Sequence, residues 1–423
     1  MSRLLTCRLG ACQRALAGAV LLLVLPSTGA RADGAPAQRL GLAAPATPPR
    51  MRVLFLHVNF PDQLQARPWS DFQNPSRSGL IDRMVDYYDE VSLRRFHLDV
   101  IASDRVYTLP RKRAAYYDKT PAMVADAMRL AARDEPDGEV GLIARTRPEA
   151  VVVLFAGPGA ESKIGWRDDS DPWSQEVTMP GIARAGDLVI DRAMVVAESP
   201  YPPLSPLGVL CHEFGHLLGL PELYAPNMPH EGIGIWGLMG QGTWVGHGDS
   251  PPGMCAWSKL KLGWVDATIV DHTQHVSLPS VSRSGQVVKI FATGPDQPNE
   301  YFLIENREKR GVDRDIPAPG LLIWHVDESL TDFRRSQDNV KHKRVDLLTA
   351  DHWPSDLDIG HSNGGNRGDA GDPWVNRALG PGPDTRPSTG AYDGSRGRFA
   401  IRNISPAGEV MSFDVVFPGD SRP

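Results

Sequence analysis

Continuous apolar runs and helical repeats alternate along the first half of the chain. Arg52–Phe60 and Ala150–Phe155 are largely apolar from end to end, which is typical of strands buried on both faces of a sheet. Leu80–Ser92 instead spaces its apolar residues three and four apart, as one face of a helix requires. The other elements predicted here are strands at His97–Ala102, Val106–Leu109 and Asp187–Ala197 and a helix from Thr120 to about Arg133. The pattern indicates a mixed arrangement of strands and helices.

After about residue 268 the helical repeats give way to short strand-like runs separated by turn residues. The runs are Val276–Leu278, Gln286–Thr293, Glu300–Glu308, Gly320–Asp327, Arg344–Ala350, Phe399–Ile404 and Val410–Phe417. This succession is typical of a β-sandwich. We therefore predict an α+β fold class, with one domain at residues 51–268 and a β-rich, β-sandwich-like domain at residues 269–423.

The N-terminus has the pattern of a secretory signal peptide. Arginines precede an apolar stretch, Ala15–Leu25, and the triplet Ala30-Arg31-Ala32 fits a small-x-small cleavage site. We predict a signal peptide at residues 1–32 and a linker at 33–50, so the mature protein is expected to be secreted or periplasmic and free of the membrane. The alternative is an uncleaved anchor.

Composition narrows the class of protein further. The 423 residues are 41% hydrophobic, enough for a sizeable core, which excludes a wholly disordered chain. The net charge is -6, and removal of the four arginines within residues 1–32 makes it -10. The chain has no excess of basic residues that would favour binding to nucleic acid. We expect the protein to be a monomer. In an oxidising compartment the two remaining cysteines, Cys211 and Cys255, favour one disulfide over two buried thiols.

The segment around residue 212 carries the candidate chemistry. His212 and His216 are four residues apart, so on a helix both imidazoles lie on one face and can reach one zinc ion at about 2.0–2.1 Å. Glu213 is rotated by about 100° from His212 and can act as general base on a zinc-activated water. The alternative is a pair of core histidines beside a surface glutamate.

A catalytic zinc ion needs a third protein ligand. The spacing His-Glu-x-x-His-x-x-Gly-x-x-Glu follows the metzincin pattern, in which a turn at Gly219 brings Glu222 back to the metal. The competitors for the third position are His230, Glu231, His247 and Asp249. Met239, in a glycine-rich stretch downstream, is the candidate for the methionine turn that metzincins place beneath the zinc.

Three stretches of the sequence, HEFGHLLGLPELY, WGLMGQGTW and AWSKLKLGW, resemble the immune inhibitor A type of secreted bacterial metallopeptidase. The resemblance extends to RVLFLHVNFPDQ, EYFLIENR, GLLIWHVDE and NGGNRGDAGDP, and so to nearly all of the mature chain. It implies a metzincin-like zinc endopeptidase domain at 51–268, His212 and His216 as zinc ligands, and Glu213 as general base. It also implies β-rich structure after the catalytic domain and structural calcium in some members. The family usually carries Asp at the position of Glu222.

A second set of oxygen ligands lies in the loop 353–398, at Asp356, Asp358, Asn363, Asn366, Asp369 and Asp372. Structural Ca²⁺ and an ordinary solvated turn are both compatible with this composition. The predicted function is that of a secreted zinc-dependent endopeptidase acting on proteins or peptides. The alternatives are an inactive peptidase homologue with structural zinc and a β-sandwich adhesin with an incidental motif.

Overall fold

The computed structural model describes residues 48–419 with short internal gaps. The residues left out of this range are 75, 77, 134–142, 144–146, 163–170, 186–187, 199–203, 227–228, 352–354 and 361–362. The predicted signal peptide and most of the predicted linker lie outside the described residues. No helix in the described part of the chain is long and apolar enough to cross a bilayer.

The first sheet has five strands in the order β2-β1-β3-β5-β4. The strands are β1 Arg50–Asn59, β2 His97–Thr108, β3 Ala150–Phe155, β4 Gln175–Ala185 and β5 Leu188–Ala197. β2, β1, β3 and β5 are parallel, whereas β4 runs antiparallel along the edge. β2 is one strand where the sequence predicted two, because its pairing with β1 continues past a register shift.

The edge strand β4 was not predicted. Its pairing with β5 shifts register between Thr178 and Ala183, and the shift contains Pro180 and Gly181. Proline cannot donate to a ladder and glycine packs no side chain, so both residues interrupt a strand pattern. An antiparallel edge strand with a bulge tolerates them.

Helices cover both faces of this sheet. The helices of the described residues are α1 Leu80–Val91, α2 Thr120–Arg133, α3 Leu207–Leu217, α4 Ala256–Lys261 and α5 Val281–Ser284. α2 packs on one face of the first sheet and α1 and α3 on the other, whereas α4 and α5 contact the later strand Glu300–Arg307. Because strand side chains alternate, Val53 and Phe55 of β1 enter the core under α3, while Leu54 and Leu56 enter the core under α2. Burial on both faces explains the continuous apolar runs.

Two further sheets form the second half, in the orders β11-β10-β9-β8-β6 and β12-β13-β14-β7. Their strands are β6 Asp266–Ile269, β7 Gln274–Pro279, β8 Gln286–Phe291, β9 Glu300–Arg307, β10 Gly320–Asp327, β11 Val345–Leu347, β12 Arg377–Leu379, β13 Ala400–Ile404 and β14 Val410–Val416. A hydrophobic core lies between the two sheets, with Ile304 and Ile323 from one and Phe413 from the other. β6 and β12 were not predicted, and β11 is shorter than the predicted strand.

The other face of the β9–β10 sheet belongs to a different core. Leu303 and Trp324 lie in the cluster that also contains Phe214 of α3 and Val53 of β1. One hydrophobic core therefore includes residues from both sides of position 268. The fold is mixed α/β, with several sheets and few helices.

Candidate metal centre and active site

Helix α3 carries the two histidines on one face. It begins at Leu207 and ends at Leu217. Gly219 follows in the left-handed region with φ +92°, a conformation that favours glycine and turns the chain back. The ring centroids of His212 and His216 are 4.8 Å apart. Helical spacing and the glycine stop thus place the chain after 219 against the histidine face.

That turn brings Glu222 to both imidazoles. Its two carboxylate oxygens lie 3.2 Å from Nε2 of His212 and 3.2 Å from Nε2 of His216. One ligand atom from each of the three residues lies within 4.8 Å of the others. Burial alone would raise the pKa of Glu222, but the facing imidazoles outweigh it and hold this pKa well below its ordinary value. The three side chains form a set that a single metal ion could bridge.

Backbone carbonyls orient both rings. Nδ1 of His212 is 2.9 Å from the Leu238 carbonyl oxygen, and Nδ1 of His216 is 2.8 Å from that of Leu220. A carbonyl only accepts, so Nδ1 carries a proton in each contact and Nε2 is the ring nitrogen that faces Glu222. Such hydrogen bonds fix the tautomer and orientation that a metal-binding histidine needs.

Glu213 lies beside this set rather than within it. Its Oε2 accepts a hydrogen bond of 2.9 Å from the backbone N–H of Glu176 in the edge strand β4. Burial raises the pKa of Glu213 to about 8, with further increases from Glu222 and Glu161 and an opposing effect of His216. The contact with Glu176 was not predicted from the sequence, because strand β4 was not predicted.

Met239 packs under α3. A Cβ atom added to Gly215 would lie 2.5 Å from the Met239 sulfur, so the glycine allows the methionine to approach the helix between the two histidines. The Met239 carbonyl accepts a hydrogen bond of 2.8 Å from Leu223 N–H, next to Glu222. The segment is held by turns of 3₁₀ helix at Gly234–Trp236 and Gln241–Gly248.

The four competitors for the third position lie elsewhere. Glu231 is buried and pairs with Arg367, His230 accepts from the N–H of Gly232, and Asp249 pairs with Arg83. His247 occupies a turn with φ +58°. Within the described ranges, none of these competitors joins the cluster of His212, His216 and Glu222.

The favoured disulfide is wrong. Cys211 and Cys255 are both buried and free. Cys211 lies in α3 with its carbonyl bonded to the Tyr88 hydroxyl, and the Cys255 thiol contacts the Ser258 hydroxyl. Burial raises the pKa of both thiols, which keeps them protonated.

A second acidic cluster joins Asp351, Asp369 and Asp372, whose ligand atoms lie within 4.8 Å of one another. Asp372 is fully buried, and its Oδ2 accepts 2.7 Å from the Trp236 indole and 2.9 Å from Asp369 N–H. Its Oδ1 accepts no hydrogen bond from the residues that the structure describes. Burial raises the pKa of Asp372 to about 7.

The cluster contains only part of the set of oxygen ligands predicted in the loop 353–398. Of the six predicted oxygen ligands, Asp369 and Asp372 take part, and Asp351 joins them from outside the predicted set. Asp358 instead pairs with the buried Lys343, and Asp356 accepts from the Asn366 amide.

Comparison with known proteins bears on residues 151–265, which match the family described as Immune inhibitor A peptidase M6, catalytic domain. Pre-pro-metalloprotease PrtV of Vibrio cholerae is 32% identical over 91 residues, 20% of this chain and 10% of that protein. Immune inhibitor A of Bacillus thuringiensis subsp. alesti is 28% identical over 129 residues, 27% of this chain and 17% of that protein. The matched stretches thus span less than a fifth of either relative.

Among solved structures, OgpA from Akkermansia muciniphila, in a catalytically inactive form with an O-glycopeptide substrate, covers 71% of this chain and 89% of its own. The identity is 12% and the TM-score 0.31, too low to establish a common fold. The family match, in contrast, contains the whole cluster of His212, His216 and Glu222, together with Glu213 and Met239. The resemblance to the immune inhibitor A family is therefore confirmed, and the match to its peptidase M6 catalytic domain lies in residues 151–265.

Proposed function

We propose that this protein is an exported, zinc-dependent endopeptidase that hydrolyses peptide bonds in proteins or peptides. The observation that carries the proposal is the convergence of His212, His216 and Glu222 around one point, with Glu213 beside it. The match to a peptidase catalytic domain over the same residues supports it.

His212, His216 and Glu222 would hold the zinc ion. Two imidazole nitrogens and a carboxylate oxygen are a donor set typical of catalytic zinc, and both Nδ1 protons are already committed to carbonyls. Glu222 Oε2 is buried and accepts no hydrogen bond from the described residues, as suits an atom that meets a cation. When bound, zinc polarises the peptide carbonyl and lowers the pKa of a water molecule.

Glu213 would move the proton. Its carboxylate takes a proton from the attacking water and passes it to the nitrogen of the leaving amine. Its raised pKa brings the carboxylate close to the range in which it can both accept and release a proton near neutral pH. The N–H of Glu176 holds one carboxylate oxygen and so fixes the direction of the other.

Two further groups complete the proposed site. β4 is an edge strand among the described strands, and its outer side suits an extended peptide that binds antiparallel to it. The side chains of Tyr224, His230 and His247 are the candidates for stabilising the oxyanion. The Tyr224 hydroxyl donates 3.1 Å to Glu222, whereas the other two contact no member of the cluster through a described hydrogen bond. We assign the role to Tyr224.

The surrounding structure supports the finer fold assignments. The antiparallel edge strand, the glycine turn before Glu222 and Met239 beneath α3 are features of a metzincin-like catalytic region. The two sheets that share a core after position 268 support a β-sandwich-like second region. We further propose signal cleavage near residue 32, export, a monomeric state, and the division of the chain at 268.

The test is metal content and casein hydrolysis of the purified mature protein. The wild type is expected to hold about one zinc per chain and to cleave casein, and Glu213→Ala to keep zinc while losing at least about a hundredfold in hydrolysis. Glu409→Ala, at an exposed glutamate, is the matched control. Casein hydrolysis unchanged in Glu213→Ala would overturn the mechanism.

The two alternative functions, an inactive homologue with structural zinc and an adhesin, predict different results. An inactive homologue with structural zinc needs a closed four-ligand site, and no fourth His, Cys, Asp or Glu joins the cluster within the described residues. An adhesin with an incidental motif would keep its ligand binding after zinc removal. Zinc content that is independent of His212 and His216 would favour that reading.

We also propose a structural Ca²⁺ at Asp351, Asp369 and Asp372. The Oδ1 atom of buried Asp372, which accepts no hydrogen bond from the described residues, supports a cation there, since a buried carboxylate oxygen without a partner is costly. The other oxygen of Asp372 holds the Trp236 indole, so the site connects with the segment that precedes Met239.

Calcium is therefore expected to stabilise the protein. The melting temperature should rise by several degrees in Ca²⁺ relative to chelator, and Asp372→Asn should remove most of the rise. Asp384→Asn, at an exposed aspartate paired with Arg396, is the control. A melting temperature that does not respond to Ca²⁺ would contradict the site.

A further inference from the structure

The connection between β10 and β11, residues 328–344, carries an exposed aromatic side chain to the metal cluster. The ring centroid of Phe333 is 6.3 Å from that of His216, with the ring planes inclined at 53°. Phe333 remains 44% exposed, one of few large apolar side chains at the surface. This residue belongs to the β-rich half, outside the stretch that matches the peptidase family.

Hydrogen bonds hold this connection against the ligand segment. The buried Gln337 amide donates 3.3 Å to the carbonyl of Leu223, the neighbour of Glu222, and 2.9 Å to that of Val345 at the start of β11. The Ser336 N–H donates 3.1 Å to the Asp332 carbonyl, closing a turn around Phe333. The position of Phe333 relative to Glu222 is thus fixed by contacts, not only by chain length.

An extended peptide advances about 3.3 Å per residue. A side chain 6.3 Å from the His216 ring therefore lies within about two residues of a peptide bond that reaches the cluster. An apolar substrate side chain placed there would remove the exposed face of Phe333 from water, which is favourable. A charged or small side chain would gain no such burial.

We propose that Phe333 is a specificity residue, which contacts the substrate and favours large apolar side chains, such as Phe, Leu or Met, next to the scissile bond. The proposal rests on the proposed peptidase function. It assigns part of the substrate-binding cleft to the β-rich half of the chain.

The experiment compares cleavage sites in a peptide library for the wild type, Phe333→Ala and Phe333→Leu. The wild type is expected to prefer large apolar residues at one position within two of the cleaved bond. Phe333→Ala should lower kcat/KM for those peptides roughly tenfold while changing kcat/KM for small side chains little, and Phe333→Leu should keep most of the preference.

Leu379→Ala, which truncates a 59% exposed apolar residue on β12, is the matched control. Zinc content and melting temperature should be the same in all four proteins. An unchanged site preference in a Phe333→Ala protein that still cleaves would overturn the role of Phe333. Loss of the proposed function itself is recognised separately, by a wild type without zinc-dependent cleavage or by an active Glu213→Ala variant.

Discussion

At the scale of single residues, the interior contains a histidine whose charge state is tied to folding. His57 on β1 is buried, and its ring meets Phe72 edge-on at 4.4 Å. Burial lowers its pKa from 6.5 to about 4, although a side-chain contact with Gln65 opposes the shift. The folded protein therefore binds fewer protons than the unfolded chain between these two pH values.

The sign of the pH effect follows from this difference. The unfolded state takes up a proton near pH 6.5 and the folded state only near pH 4, so stability falls as pH decreases through that window. The loss amounts to about 3 kcal/mol at 1.36 kcal/mol per pKa unit. Urea unfolding at pH 7 and pH 4.5 should show a smaller decrease for His57→Gln than for the wild type. Equal decreases in the two proteins would contradict the assignment.

Residues could be predicted where their geometry is local. His212 and His216 lie on one helix, and Gly219 lies in the turn that ends it. Their spacing in the sequence was therefore enough to predict that the two histidines share one face. The cation cluster is different, because Asp351 comes 18 positions before Asp369 in the sequence and only the fold brings them together. The disulfide prediction failed for the same reason, since the number of cysteines says nothing about their distance.

At the scale of elements, the edge strand β4 was not predicted from the sequence, although it contacts Glu213. Its sequence signal was weak because Pro180 and Gly181 interrupt the run of strand-forming residues. α3, in contrast, could be predicted, because the helical spacing of the two histidines and the glycine stop are local in the sequence.

The contact between β4 and Glu213 can be tested without changing Glu213 or the cluster of His212, His216 and Glu222. Glu176→Pro removes the backbone N–H that Glu213 accepts, and we expect at least a tenfold loss of hydrolysis, the effect of about 1.5–3 kcal/mol for a hydrogen bond to a charged group. Glu176→Ala keeps the N–H and should retain activity. Zinc content and melting temperature identify any general damage, and full activity of a folded Glu176→Pro protein would refute the role of this contact.

At the scale of the whole molecule, a buried ionic network joins the two halves. Arg307 on β9 is fully buried and donates 2.9 Å from Nε to Asp313 and 3.2 Å from Nη1 to the Trp236 carbonyl. Glu305, also fully buried, accepts 3.2 Å from the N–H of Ala256 at the start of α4. Side chains of the β-rich half thus hold the segment that leads to Met239.

Removing the Arg307 guanidinium leaves the buried Asp313 carboxylate without its cationic partner, whereas Glu305 keeps Lys259 at 3.7 Å. Arg307→Met is expected to destabilise the protein by about 3–5 kcal/mol, measured by urea unfolding. The exposed pair of Arg396 and Asp384 provides the comparison, and Arg396→Met should leave unfolding unchanged within error. Similar unfolding midpoints for the two variants would show that the buried ion pairs of Arg307 stabilise the protein no more than an exposed pair does.

The predicted elements of the β-rich half were largely observed, but their partners could not be read from the pattern. GLLIWHVD of β10 is buried on both faces, and the sequence indicates burial without indicating which core each face enters. Ile323 enters the core between the two sheets, whereas Trp324 enters the one beneath α3. The division of the chain at 268 stays a prediction.

The core that contains Phe214, Leu303 and Trp324 has a practical consequence for the expression of parts of this protein. A polypeptide ending at residue 268 would leave the apolar side chains under α3 facing water, so it should be recovered as aggregate rather than as a smaller folded protein. Exchanging the C-terminal half for that of another protein would therefore require exchanging the matching core residues as well.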